Sequence, residues 1–231
     1  MDNPSLLDAW NDSYLRRENH VFWPSDELVR FVSRHIRRRI GIGEVVDVAP
    51  DALGSRVLDA GCGIGRNLVF GHEMGLIMHG MDLSQVAIDR AREWLSAKGA
   101  PDAEDRVVQA DISQLPWEDS YFSHAFSESA LDSMPFQVAQ AGVAEIARTL
   151  KPGGLFYCSL ISGDETGRDE NFAEEVLISD KHEQDTIQQF FNEDKVKELL
   201  APHFNCISIY LVQTRYNDKH HGRWHFIGSR K

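Results

Sequence analysis

Asp59, Asp82 and Asp111 each stand at the end of a short apolar run, in the stretches VLD, GMD and VVQAD. A carboxylate in that position has two oxygens that accept from hydroxyl, amine or backbone N–H groups. Behind Asp59 come three glycines, Gly61, Gly63 and Gly65, in VLDAGCGIGRN with Cys62 between the first two. Backbone that bare turns tightly and admits close approach. The spacing matches neither the G-x-G-x-x-G turn of dinucleotide sites nor the G-x-x-x-x-G-K-[ST] loop of triphosphate sites. A carboxylate beside the loop repels phosphate and attracts ammonium, so a ligand carrying both an amine and a carboxylate fits. Its carboxylate takes N–H groups at a helix start, and its amine faces Asp59 directly or through water. Asp82 is placed to accept both hydroxyls of a ribose. Asp111 is placed to accept from an exocyclic adenine amine, with Leu83 and Ile112 on either side of the ring.

These residues need elements that bring them together. Apolar periodicity and breakers predict strands over 56–60, 76–81, 106–110, 121–129 and 155–161. Helices are predicted over 66–74, 85–98, 136–150 and 192–201, with Ser84 as an N-cap and Gly99 as a stop. Strands alternating with helices predict an α/β fold with a parallel sheet covered on both faces, and right-handed crossovers gather the loops after the strands on one edge. That edge collects the glycine loop, Asp82, Asp111 and residues 127–135, beginning with Ser127. Two apolar runs flanking NDKHHG predict an antiparallel hairpin at the end of the chain. Residues 26–40 read as a helix capped by Ser25, with RHIRRRI as its solvated face and a loop-rich connection following. The acidic stretch 163–186 reads as an insertion or lid.

Composition narrows the function classes. The 231 residues carry a net charge of −12, which disfavours a nucleic-acid partner, since such proteins gain affinity through Lys and Arg on phosphates. Three widely spaced cysteines without a C-x-x-C pair predict a reducing compartment rather than a disulfide framework. Apolar runs are too short for a membrane span and the first residues lack the layout of a secretion signal, so the expected location is cytoplasmic. His220, His221 and His225 lack a completing Cys or carboxylate set nearby, and are read as structural rather than metal ligands.

As a set, these segments resemble the class I S-adenosylmethionine-dependent methyltransferases of the broad small-molecule type. VLDAGCGIGRN matches the glycine motif of that family and GMDLS its ribose acid. QADISQLPWEDSYF matches the adenine segment and EIARTLKPGG the helix and turn before the fifth strand. One position departs: Ser123 follows Tyr121-Phe122 where the family usually has Asp. The resemblance implies a doubly wound, mostly parallel, seven-stranded Rossmann-like sheet with a reversed final strand. It also implies S-adenosyl-L-methionine as cofactor and methyl transfer to an oxygen or nitrogen of a small-molecule acceptor. Cofactor residues carried over are Asp59, Gly61, Cys62, Gly63, Gly65, Asp82, Leu83, Asp111, Ile112 and Ser127.

By the same resemblance, residues 1–50 form a helical acceptor-site lid and 51–231 the methyltransferase domain, with 163–191 an insertion or lid. The acceptor is expected against Trp10, Tyr14, Trp23, Glu128 and Asp132, with packing as the competing role for each aromatic. Glu128, Asp132 and His20 are candidate proton acceptors, against capping, salt bridging or a plain surface role. An RNA or protein methyltransferase is an alternative, but SESA stands where base-N-methylating enzymes carry N/D-P-P-[YFW]. A non-catalytic member that binds the cofactor or its demethylated product is another.

Overall fold

A computed structural model describes residues 5–100, 102–163, 175–216 and 219–231. Among the described residues, strands and helices follow the order α1 (Leu6–Leu15), α2 (Asp26–His35), β1 (Arg37–Gly41), β2 (Glu44–Asp47), β3 (Arg56–Ala60), α3 (Arg66–Glu73), β4 (Ile77–Asp82), α4 (Gln85–Ala97), α5 (Ala103–Arg106), β5 (Val107–Gln109), β6 (Phe122–Glu128), α6 (Phe136–Thr149), β7 (Leu150–Ile161), β8 (Val176–Leu177), β9 (Ile187–Gln188), α7 (Glu193–Leu200), β10 (Phe204–Tyr216) and β11 (Lys219–Arg230). Seven of the strands form one sheet in the order β10-β11-β7-β6-β3-β4-β5. β3 to β7 run parallel, while β11 is antiparallel to β7 and β10 to β11. The order reverses at β3, so the crevice at its carboxyl end is the expected ligand position.

Two apolar layers sandwich this sheet. On one face α2, α3 and α4 contribute Leu28, Phe31, Leu68, Ile88, Ala91 and Leu95, and on the other α6 and α7 contribute Val143, Ile146, Val196 and Leu199. β6 reads FSHAFSE and is buried almost throughout, because helices cover it on both sides. α6 ends at Thr149, with only Leu150 between it and the segment KPGG. That segment is drawn into the start of β7, which begins directly at Leu150. Arg148 on α6 fixes the loop between β5 and β6 by donating to the carbonyls of Trp117 (2.9 Å) and Leu115 (3.1 Å), while Glu145 accepts from Leu115 N (2.9 Å).

The predicted helix over 26–40 is corrected in its second half. Ser25 does cap α2, accepting from Leu28 N at 3.2 Å, but the helix ends at His35 and Arg37 starts a hairpin. Ile36 and Ile40 are four apart, which mimics a helix. The Arg37 guanidinium decides otherwise: it is buried, donates to Asp47 at 2.6 Å and also reaches the Met74 carbonyl. An arginine so enclosed is stable only with its donors matched, and a solvated helix face offers none of those partners.

Candidate active site at the carboxyl edge of the sheet

The glycine loop is held from below by backbone bonds. Gly61 N and Cys62 N both donate to the Met81 carbonyl, at 2.9 and 2.8 Å, tying the end of β3 to the end of β4. Gly61 has φ +80°, and a Cβ there would run into the Ala130 methyl; at Gly63, φ +52°, it would stand 2.9 Å from the Tyr14 hydroxyl. Left-handed backbone and two close neighbours together require glycine. Gly65 is the N-cap of α3 with no side-chain cap, so the first N–H groups of that helix have no side-chain acceptor from the cap residue.

Asp82 closes the arrangement. Its Oδ2 accepts from Gly63 N and its Oδ1 from Ser84 N, both at 2.9 Å, and burial raises its carboxyl above the usual range. Each oxygen keeps a lone pair for a further donor. Ser84 caps α4 and donates from Oγ to Asn11 Oδ1 at 2.7 Å, which ties α1 across the loop. The N-terminal helix thereby becomes a wall of the site.

That wall encloses a cavity of about 650 Å³. Gly61, Cys62, Gly63, Asp82, Leu83, Asp111 and Ile112 all line it. Leu6, Leu7, Trp10 and Tyr14 of α1 line it from above, and Glu128, Asp132 and Met134 from the end of β6 and the loop after it. Asp111 Oδ1 accepts from Ser113 N at 2.8 Å and from Ser113 Oγ at 2.7 Å. Such an Asx turn fixes the side chain.

Five of the expected residues sit elsewhere. Ser127 is sealed between strands, where its Oγ donates to the Ala60 carbonyl at 3.0 Å. Gly65 packs against Ala91 rather than facing the cavity. His20 lies in a separate cleft with Phe22 and Trp94, and Trp23 is 81% exposed. Aromatic density in the sequence carries no information about the side of a helix connection on which each ring falls. Asp59 lies beneath the loop, fully buried, beside the Asn67 side chain but with no hydrogen bond of good geometry to either carboxylate oxygen. Burial first, and the nearby Glu128 carboxylate second, push its carboxyl up to about 7, against the opposing effects of Asn67 and Arg66.

Glu128 and Asp132 do face the cavity, each with an arginine that the sequence did not single out. Arg66 Nη2 stands 3.0 Å from Glu128, and Arg223 Nη2 donates to Asp132 at 2.6 Å. Asp132 also accepts from Ile161 N at 2.7 Å. Arg66 carried a signal, since a cation in the first turn of a helix opposes the helix dipole and wants a nearby anion. Arg223 carried none; it comes from the distant hairpin strand β11. Glu183 and Gln188 of the β8–β9 segment complete the far wall. The acidic stretch predicted over 163–186 falls partly outside the described residues. Just beyond its described end, Gln189 N fastens the segment by donating to the Asp132 carbonyl at 2.7 Å. Residues 26–47 of the expected N-terminal lid do not line the cavity, because α2 is consumed in the core.

Comparison with known proteins agrees with this geometry. Residues 57–154 match a family model described as a methyltransferase domain. Malonyl-[acyl-carrier protein] O-methyltransferase of Enterobacter lignolyticus is 33% identical over 113 residues, 48% of this chain and 40% of that protein. Sterol 4-C-methyltransferase of Caenorhabditis elegans is 28% identical over 158 residues, 66% of this chain and 44% of that protein. The chain spans less than half the length of these curated relatives. Among solved structures, magnesium protoporphyrin IX methyltransferase of Synechocystis PCC 6803, with bound S-adenosylhomocysteine, is 14% identical with a TM-score of 0.66 and 98% of each chain covered. At that identity the likeness concerns the fold. Residues 57–154 thus carry a methyltransferase domain, and the matched domain, sheet order and loop together are those of the class I S-adenosylmethionine-dependent methyltransferases.

Proposed function

We propose that this chain transfers a methyl group from S-adenosylmethionine to an oxygen or nitrogen of a small-molecule acceptor. The observation that carries the reading is the continuity of one cavity from Asp82, Asp111 and Ile112 to Glu128, Met134 and Gln188, roofed by α1. A cavity of about 650 Å³ suits a cofactor together with a small acceptor under that roof. The relatives' names denote methylation of a malonyl group on a carrier protein and of a sterol.

The residues present fit the cofactor. Gly61 and Gly63 present bare backbone to the cavity, and Asp82 keeps acceptor capacity on both oxygens. The buried Asp59 carboxylate beneath the loop, which has no ion pair among the described residues, is the group a cationic ligand would stabilise. Asp82 would accept from the ribose hydroxyls, and Leu83 and Ile112 would flank the adenine with Asp111 at its amine. When bound, S-adenosylmethionine supplies an electrophilic methyl group on a sulfonium. Leu6, Leu7 and Trp10 exclude water from above, which suits a step in which charge is dispersed. Glu128 is oriented by Arg66 and serves best as a proton acceptor or an anchor for the acceptor. Asp132, saturated by Ile161 N and Arg223, acts as a structural tie of the wall.

The test is transfer of isotopically labelled methyl groups by the purified chain into a size-fractionated cell extract. Label in the small-molecule fraction is the expected result. Label confined to macromolecules, or none at all, refutes the reading.

A further inference from the structure

A charge account of the cavity wall leaves one carboxylate over. Glu128 is matched by Arg66 and Asp132 by Arg223. Asp82 is occupied by two backbone N–H groups and Asp111 by Ser113, both at the end of the cavity proposed for the adenosyl group. Glu183 is different. It lines the cavity with 22% of its side chain exposed, and its one ion-pair contact among the described residues is His182 Nδ1 at 4.0 Å, a ring that is largely exposed.

The backbone at this residue is left-handed. Glu183 has φ +57° and Asp185 has φ +68°. Such left-handed conformations cost a non-glycine residue energy and cluster at ligand sites. The turn is stabilised from outside the segment and within it: Glu183 N donates to Glu18 Oε2 at 2.9 Å, and the Glu183 carbonyl accepts from Thr186 Oγ1 at 2.7 Å. Glu183 is thus fastened by its backbone to Glu18, in the turn after α1, while among the described residues no Lys or Arg pairs with its carboxylate. It shares the lining of the cavity with Tyr14. The Tyr14 phenol, whose oxygen lies against Gly63, is raised chiefly by burial and then by Asp82, Cys62 and the Glu183 carboxylate.

We infer that Glu183 is a specificity-determining residue whose carboxylate receives a basic nitrogen, so that the acceptor is an amine. This deepens the proposed function and rests on it. A partly enclosed carboxylate without a matching cation favours a ligand ammonium over a neutral hydroxyl, because the charge-assisted hydrogen bond is about twice as strong as a neutral one. A carboxylate-bearing acceptor would be repelled at the same place.

The test uses the full chain loaded with S-adenosylhomocysteine and matched pairs of arylalkyl amines and alcohols, 2-phenylethylamine with 2-phenylethanol and tryptamine with tryptophol, followed by ligand-observed NMR titration. The amine of each pair is expected to bind about tenfold tighter or better than its alcohol. In Glu183→Gln the preference should shrink to within about threefold, while Glu183→Asp, which keeps the charge, should retain most of it. Absence of amine preference in the wild-type chain, or its survival in Glu183→Gln, overturns the inference. Affinity for S-adenosylhomocysteine is measured in the same samples: retention in Glu183→Gln is expected, and failure of the wild-type chain to bind it would refute the methyltransferase reading itself, a result separate from any amine preference.

Discussion

Asp59 offers the sharpest physical test of the site, because its carboxylate is fully buried without an ion pair or a hydrogen bond of good geometry among the described residues. Its carboxyl is pushed up to about 7, whereas an unfolded aspartate titrates near about 3.9. The folded chain therefore holds this proton more tightly than the unfolded chain. The resulting stabilisation is complete below the unfolded pKa and is lost as pH rises through about 7. Integrating between about pH 5 and about pH 8, the loss is about 2–3 kcal/mol for this one group. Asp59→Asn keeps the shape and removes the titration. Urea unfolding of the ligand-free chain across that range should show the wild type losing about 2–3 kcal/mol relative to the variant, with the variant the more stable at the alkaline end. Cofactor binding should show the converse, since its cationic groups favour the ionised carboxylate. Affinity for S-adenosylmethionine should rise about tenfold from about pH 6 to about pH 8 in the wild type and stay flat in the variant. A stability difference between the two proteins that does not change with pH would refute the burial argument.

Three further outcomes are expected. Asp82→Ala should weaken S-adenosylhomocysteine binding by roughly 10–100-fold in calorimetry, since both the ligand's hydroxyls and the Gly63 N–H lose their acceptor. Gly61→Ala should destabilise the fold by about 2–4 kcal/mol in thermal or urea unfolding, because its Cβ meets the Ala130 methyl on left-handed backbone, and Ala130→Gly should recover part of that loss in the double variant. Asp132→Ala should cost about 3–5 kcal/mol of stability, leaving Arg223 and Ile161 N without their acceptor, while Ser133→Ala beside it should be nearly silent.

What the sequence made legible follows from how local each determinant is. The glycine loop, the Ser84 cap of α4 and the acids at the ends of β4 and β5 were readable, because each depends on residues within one turn or strand end. The sheet with its reversed last strand followed from alternating elements and from the family resemblance. The β1–β2 hairpin was hidden, because Arg37 is satisfied by Asp47 and by the carbonyl of Met74 at the end of α3, partners no periodicity reveals. The pairs Arg66–Glu128 and Arg223–Asp132 join residues 62 and 91 positions apart, from 66 to 128 and from 132 to 223. They change the meaning of two carboxylates that looked equivalent in sequence: Glu128 is oriented by one cation, while Asp132 is consumed by a cation and a backbone N–H. His20 and Trp23 show the same limit from the other side, as residues of suitable chemistry whose loop turns them away from the cavity.

The most direct measurement is a crystal structure of the chain with S-adenosylhomocysteine. The account predicts the ribose hydroxyls on Asp82, the adenine between Leu83 and Ile112, and the amino-acid end over Gly61 and Gly63 with its sulfur turned toward Glu128 and Tyr14. Density for the compound anywhere else, or an unliganded loop at saturating concentration, would contradict it.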